Sequence, residues 1–208
     1  MKGARAVIFD LDGTLIESEL DFDLIRAEIG LRPGLPILEQ LDGADEALRA
    51  RAETIMRRHE REAIARARLV DGCLELLARL DALAVPTAIL TRNVREVVDT
   101  FSRTFGFAFR ATYTREDGPP KPSPAGVLAL CERLGTAPAH TLVVGDYKFD
   151  ILAGRRAGCP TVLVTTEALT PAELPDWGPP DMVVRSLREL LPLFPPGDDR
   201  EKDPHRVL

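Results

Sequence analysis

The sequence predicts an α/β protein: a Rossmann-like, doubly wound parallel sheet with a small all-helical cap inserted after the first strand. Three observations predict it. Short apolar runs recur along the chain with helical patterns between them, and strands alternating with helices give a parallel sheet covered on both faces. The alternation breaks once, after the first run, in a long stretch rich in Ala, Arg, Glu and Leu. Polar segments bearing acids, a threonine or a lysine follow the runs or lie in the loops between elements. In open parallel sheets the carboxyl ends of the strands form the ligand crevice.

The first run, Ala6–Phe9, stops at Asp10-Leu11-Asp12-Gly13-Thr14 and reads as a buried strand ending in a polar loop. Similar runs cover residues 86–90, 141–144, 160–164 and Met182–Val184. Apolar residues at helical spacing mark residues 73–83, Ala125–Leu134 and, more weakly, Arg95–Phe105. Between Leu15 and Val70 the pattern shows no strand. Residues 21–29 read as a helix stopped by Gly30, residues 32–36 as a loop, and residues 44–68 as one or two long helices. The predicted organisation is a core of residues 1–15 and 71–194, a helical cap of residues 16–70, and a polar, proline-rich tail of residues 195–208 expected to be disordered. Crossovers between parallel strands should be right-handed.

Bulk composition narrows the function classes. At 208 residues, 45% hydrophobic and 29% charged, the chain can bury a sizeable core without disulfides. The cysteines Cys73, Cys131 and Cys159 are odd in number and scattered, which suits reduced thiols in a cytosolic protein. A net charge of -6 and a pI near 5.2 argue against nucleic acid or an anionic membrane as an obligatory partner. An anion-binding site here must therefore make its own positive field. No apolar run reaches membrane-spanning length, and the start of the chain lacks a signal-peptide pattern, so the cytoplasm is the expected location. The sequence carries no signal of oligomeric state.

Four segments carry the chemistry. Asp10 and Asp12, two apart in extended chain, point the same way, and such a pair is costly unless a proton or a cation relieves it. A hard ion such as Mg²⁺ suits oxygen ligands. Thr91-Arg92-Asn93 offers a hydroxyl and backbone amides at the start of a helix, an anion cradle. Lys121 lies in the stiff loop Pro119-Pro120-Lys121-Pro122-Ser123-Pro124, where its ammonium can keep neighbouring carboxylates ionised. Asp146 and Asp150, four apart at a strand-to-helix turn, can give one metal ligand and one supporting acid. Each segment alone also admits a plain structural role: a helix cap for Thr14, Thr91 or Asp146, a solvated surface lysine for Lys121. The four together, in this order, are not a plausible accident.

The set resembles the haloacid dehalogenase superfamily of phosphatases: DxDGT at Asp10 to Thr14, the threonine at Thr91, the lysine at Lys121, and GDxxxD at Asp146 to Asp150. The likeness spans residues 5 to 190 and is strongest to the phosphoglycolate-phosphatase-like branch, whose helical cap is inserted after the first motif. It implies a Mg²⁺-dependent phosphatase acting on a small phosphorylated metabolite. Asp10 would be the nucleophile and form an aspartyl phosphate; Asp12 would be the general acid and base. Asp10, the Asp12 main-chain carbonyl and Asp146 would hold the metal. Thr91, Arg92, Asn93 and Lys121 would bind the phosphoryl group, and Asp150 would orient the metal shell or Lys121. The second acid, Asp12, separates this pattern from dehalogenases proper, whose halide leaves without a proton. The insert contains no lysine, so the Schiff-base chemistry of the superfamily's phosphonatases is not expected. It does contain many arginines, among them Arg26, Arg32, Arg57, Arg58 and Arg61. Most are expected on a solvated face in pairs with glutamates, with one or two able to hold a substrate carboxylate. The competing readings are a phosphomutase of the β-phosphoglucomutase kind, using the same nucleophile, and a non-catalytic binding or regulatory protein.

Overall fold

The computed structural model describes residues 3–165 and 177–196. Six parallel strands form the sheet: β1 (Ala6–Phe9), β4 (Thr87–Leu90), β5 (Ala111–Tyr113), β6 (Thr141–Gly145), β7 (Thr161–Val164) and β8 (Met182–Val184), in the order β5-β4-β1-β6-β7-β8. The chain runs outward from β1 through β4 to β5, then returns to β6 on the other side of β1. The order therefore reverses at β1, where an open α/β sheet forms its ligand crevice.

Alternation along β1 explains the two covered faces. Val7 and Phe9 join one apolar core with α4 (Cys73–Ala82), α5 (Arg95–Phe105) and a 3₁₀ segment at Leu187–Leu193. Ala6 and Ile8 point the opposite way, into a second core with α6 (Ala125–Leu134) and α7 (Lys148–Ala157). Phe101, fully buried on α5, packs against Phe105, Phe107 and Phe109 with ring centroids 5.3, 5.9 and 5.9 Å away. This cluster anchors the helix whose N-terminal approach carries Thr91 to Asn93.

The insert is helical, as expected: α1 (Phe22–Ile29), the four-residue α2 (Ile37–Gln40) and the single long α3 (Glu46–Arg66). Asp21 caps α1 by accepting from the Leu24 N–H at 2.9 Å, and Gly30 ends it in the left-handed conformation that side chains disfavour. Asp45 caps α3 through the Leu48 N–H at 2.8 Å. Ile25, Ile29, Ile37, Leu41, Ala52 and Met56 give these helices their own small core.

Two local findings differ from the sequence reading. The stretch between Leu15 and Val70 does contain strand: β2 (Ile16–Glu17) pairs antiparallel with β3 (Arg68–Leu69) where the chain leaves and re-enters the core. A ribbon of two residues per strand, closed across fifty intervening residues, leaves no periodic signal. The edge strand β5, with Ala111 and Thr112 partly exposed, was likewise too short and mixed to stand out. The three cysteines are free and buried. Among the described residues no helix is long and apolar enough to cross a membrane. The expected disordered tail lies, beyond residue 196, outside the described residues.

Phe101→Ala should cost about 3–5 kcal/mol, the loss of a fully buried aromatic plus the cavity left behind. Urea unfolding monitored by circular dichroism measures it; a loss below about 1 kcal/mol contradicts the packing described.

Candidate active site

The site forms where the loops after β1, β4, β5 and β6 meet. Asp10 follows β1 and its N–H donates to the Val144 carbonyl of β6 at 2.9 Å. Thr91 follows β4, and its N–H donates to the Tyr113 carbonyl of β5 at 3.0 Å. Adjacent strands thus bring together motifs eighty and more residues apart.

At the centre is Lys121, whose side chain is only 3% exposed. Its ammonium lies 2.7 Å from Asp10 Oδ1 and 2.6 Å from Asp150 Oδ1. Asp150 also accepts from the Tyr147 N–H at 3.1 Å, so the carboxylate that holds Lys121 caps the turn carrying Asp146. The Thr14 hydroxyl donates to Asp146 Oδ1 at 3.3 Å. Two glycines are required by close approach: a Cβ on Gly13 would collide with the Asp146 carboxylate, and one on Gly145 with that of Asp150. Gly13 also has φ +74°, where side chains are strained.

Oxygens of Asp10, Asp146 and Asp150 lie within 4.8 Å of one another, a spacing able to hold a metal ion. Three carboxylates face one ammonium, so the cluster demands more positive charge. The Asp146 carboxyl shows it: burial, then the Asp150 charge, push its pKa up to about 7. Burial likewise lifts Asp10 well above the usual carboxylate range against the pull of Lys121, with Asp150 and Asp146 adding to the rise. Hard oxygen donors with unbalanced negative charge fit a divalent cation.

Asp12 lies beside this cluster. Its carboxylate accepts a short hydrogen bond from the Asn93 side-chain amide. Burial raises its pKa, opposed by hydrogen bonds from Ser18 and Asn93. Thr91 Oγ1 accepts from the Asn93 N–H at 3.1 Å, which fixes the cradle loop. The Arg92 guanidinium turns outward: it pairs with Glu39 of α2 at 2.7 Å and stacks on Phe149, 4.7 Å from the ring centre. So the structure gathers Asp10, Asp146, Asp150 and Lys121 in one cluster, sets Asp12 and Asn93 beside it, and commits the Arg92 side chain to the cap.

These groups floor a pocket of about 640 Å³ roofed by α1, α2 and α3. Arg115, missed by the sequence reading, lines it after β5. Its guanidinium reaches Glu60 at 2.5 Å, Glu53 at 3.2 Å and the Arg92 carbonyl at 3.1 Å, tying α3 to the cradle loop. Glu60 is raised by burial, the Arg115 charge opposing. Without β5 as a recognised strand, nothing marked Arg115 as lying at a strand end. Of the insert's arginines, Arg57 pairs with Glu53 and Glu116, Arg58 with Glu28 and Arg61 with Glu96, the glutamate pairs expected for most. Only Arg26 of the five reaches the pocket lining.

The family model of the haloacid dehalogenase-like hydrolases matches residues 4–158. The chain belongs to that family. Among its relatives, a haloacid dehalogenase-like hydrolase domain-containing protein of Arabidopsis thaliana is 31% identical over 196 residues, covering 88% of this chain and 77% of its own. A phosphoglycolate phosphatase of Thiobacillus denitrificans is 31% identical over 189 residues, covering 77% of this chain and 82% of its own. The fold matches the crystal structure of a predicted phosphoglycolate phosphatase from Haemophilus somnus with a TM-score of 0.71 at 23% identity, over 93% of this chain and 99% of that one. The chain is thus a phosphatase-type member, on the phosphoglycolate-phosphatase-like branch, with the parallel-sheet core and helical cap the sequence predicts.

The raised carboxyls give a pH dependence with a definite sign. Between the unfolded value of 3.8 and about 7, folded Asp146 holds a proton that the unfolded chain has released. Its contribution to stability is therefore full below pH 4 and is lost as pH rises through 7. In EDTA the melting temperature should fall between pH 5.5 and 8, and millimolar Mg²⁺ should raise it more at pH 8 than at pH 5.5. A Mg²⁺ effect that is larger at the lower pH contradicts this arrangement.

Proposed function

We propose that this protein is a Mg²⁺-dependent phosphatase that hydrolyses a small-molecule phosphate monoester through an aspartyl phosphate on Asp10. The observation that carries the reading is the buried Lys121 ammonium shared between Asp10 and Asp150. It opposes the protonation that burial favours on Asp10, and together with a bound cation it would leave a carboxylate oxygen to attack.

In the first half-reaction, Asp10 forms a bond to phosphorus as the ester P–O bond breaks. Asp12 delivers its proton to the departing alkoxide; burial raises its pKa, which favours the protonated form that an acid needs. In the second, Asp12 as carboxylate takes a proton from the water that attacks the aspartyl phosphate. Inorganic phosphate leaves, and Asp10 and protonated Asp12 are restored. The Asn93 amide holds Asp12 in line for both transfers. Thr91, Lys121 and the main-chain amides leading into α5 hold the phosphoryl oxygens, with Arg92 closing the mouth against Glu39. Asp10, Asp146 and the Asp12 carbonyl would hold Mg²⁺, with Asp150 supporting them; when bound, the ion offsets charge so that one anion can approach another. In this reading residues 1–15 and 71–194 are the catalytic core and residues 16–70 the cap. The buried free thiols suit a cytoplasmic setting.

The test is turnover of p-nitrophenyl phosphate and alkyl phosphates with Mg²⁺ or EDTA. Turnover should need Mg²⁺, and Asp10→Asn should lower kcat by several orders of magnitude. Asp12→Asn should still release p-nitrophenolate once, because that group leaves without a proton, and then stall. Stopped-flow absorbance should show a burst matching the enzyme concentration. Full activity of Asp10→Asn, or turnover unaffected by EDTA, overturns the proposal.

A further inference from the structure

Resting on the phosphatase reading, we infer that the leaving group of the substrate is a neutral alcohol with an apolar body, not a small acid or a second phosphate. Charge is the first argument. The cations lining the pocket are Lys121, Arg26, Arg92 and Arg115. Each already faces a carboxylate: Lys121 faces Asp10 and Asp150, Arg26 faces Asp23 at 2.6 Å, Arg92 faces Glu39 at 2.7 Å, and Arg115 faces Glu60 and Glu53. The lining also includes Glu17 and Glu19, which repel an anion. Among the described residues, then, no lining cation is free of a carboxylate, and although the Nε–H groups of Arg26 and Arg115 have no hydrogen-bond partner, an anionic tail competes with an existing pair at each cation.

Shape and surface are the second argument. The pocket, about 640 Å³, far exceeds a phosphoryl group with a two-carbon tail and falls in the range of sites for drug-sized ligands. Its cap wall includes Leu20, Phe22, Ile25, Leu35, Ile37 and Leu38. The core side offers Tyr147 and Phe149, edge to face at 5.0 Å. Phe22 and Leu35 are 51% and 46% exposed, large apolar side chains that the fold leaves open at the site. Apolar surface on both sides of a cleft, with committed charges between, selects a body that removes that surface from water.

The experiment measures kcat/KM for n-alkyl phosphates from ethyl to octyl, each paired with an ω-carboxyalkyl phosphate of equal length. Longer n-alkanols have nearly equal acidity, so the profile reads the fit of the body rather than leaving-group reactivity. The rate constant should rise by about threefold per methylene until the pocket is filled. The ω-carboxylate should lower it by about tenfold or more, as like charges meet without a free counter-ion. Phe22→Ser and Leu35→Ser, at half-exposed positions, should each flatten the length dependence. A flat or falling profile, or faster turnover of ω-carboxyalkyl phosphates, 2-phosphoglycolate or pyrophosphate than of the neutral esters, overturns the inference and leaves the phosphatase reading standing. No turnover of any ester by folded protein overturns the phosphatase reading and this inference with it.

Discussion

The Lys121 ammonium, buried between Asp10 and Asp150, is the interaction on which the rest of the site depends. Burying a lone ammonium or carboxylate is prohibitive, so each of the three requires the others. The cluster ties the loop after β1 to the proline-rich loop before α6 and to the turn after β6. Asp150 does double service, because its second oxygen caps the turn that presents Asp146. The close packing around Gly13 and Gly145 follows from the same crowding: a Cβ at either position would displace a carboxylate. Three acids against one base leave a site short of positive charge, a shortage that a metal ion would meet.

A second electrostatic layer joins cap to core. Arg115, with its side chain 7% exposed, links Glu60 and Glu53 of α3 to the main chain of the cradle loop. Arg92 with Glu39, Arg57 with Glu116 and Arg61 with Glu96 add pairs between cap and core. The exposed pairs contribute little stability singly, whereas breaking the buried Arg115–Glu60 pair leaves an uncompensated charge. The roof over the pocket therefore has a preferred seat. Arg57 and Arg61 are spent on that seating and Arg26 pairs within α1, so the inner surface the roof offers a substrate is mainly apolar.

Much of this was legible in the sequence because it rests on local chemistry. The apolar runs at residues 6–9, 141–144 and 160–164 are strands buried on both faces, which leave an unbroken hydrophobic signal. Helix α1 ends at Gly30, a stop that a single residue announces. The clustering of Asp10, Lys121, Asp146 and Asp150 followed once each was assigned to a strand end or its adjoining loop. What escaped was non-local or mixed in character. The β2–β3 ribbon exists only because the two ends of the insert return to one place. Edge strand β5 is three residues of middling polarity, and with it went Arg115. The roles of the cap arginines could not be read from spacing, since their partners Glu96 and Glu116 lie on the core. The apolar wall of the pocket was hidden for the same reason: Leu35 and Phe22 look like ordinary loop and helix residues until the cap is folded over the sheet.

In the proposed reaction phosphorus passes through Asp10. Its most direct test is to quench the wild-type protein with acid within milliseconds of mixing with substrate and Mg²⁺, digest it, and locate any phosphoryl group by mass spectrometry. Transfer through Asp10 predicts a phosphorylated peptide containing Asp10, its phosphoryl group stable to the acid quench and lost on brief hydroxylamine treatment, as an acyl phosphate should be. Steady turnover with no phosphopeptide at any quench time, or a phosphoryl group on another residue, would contradict it.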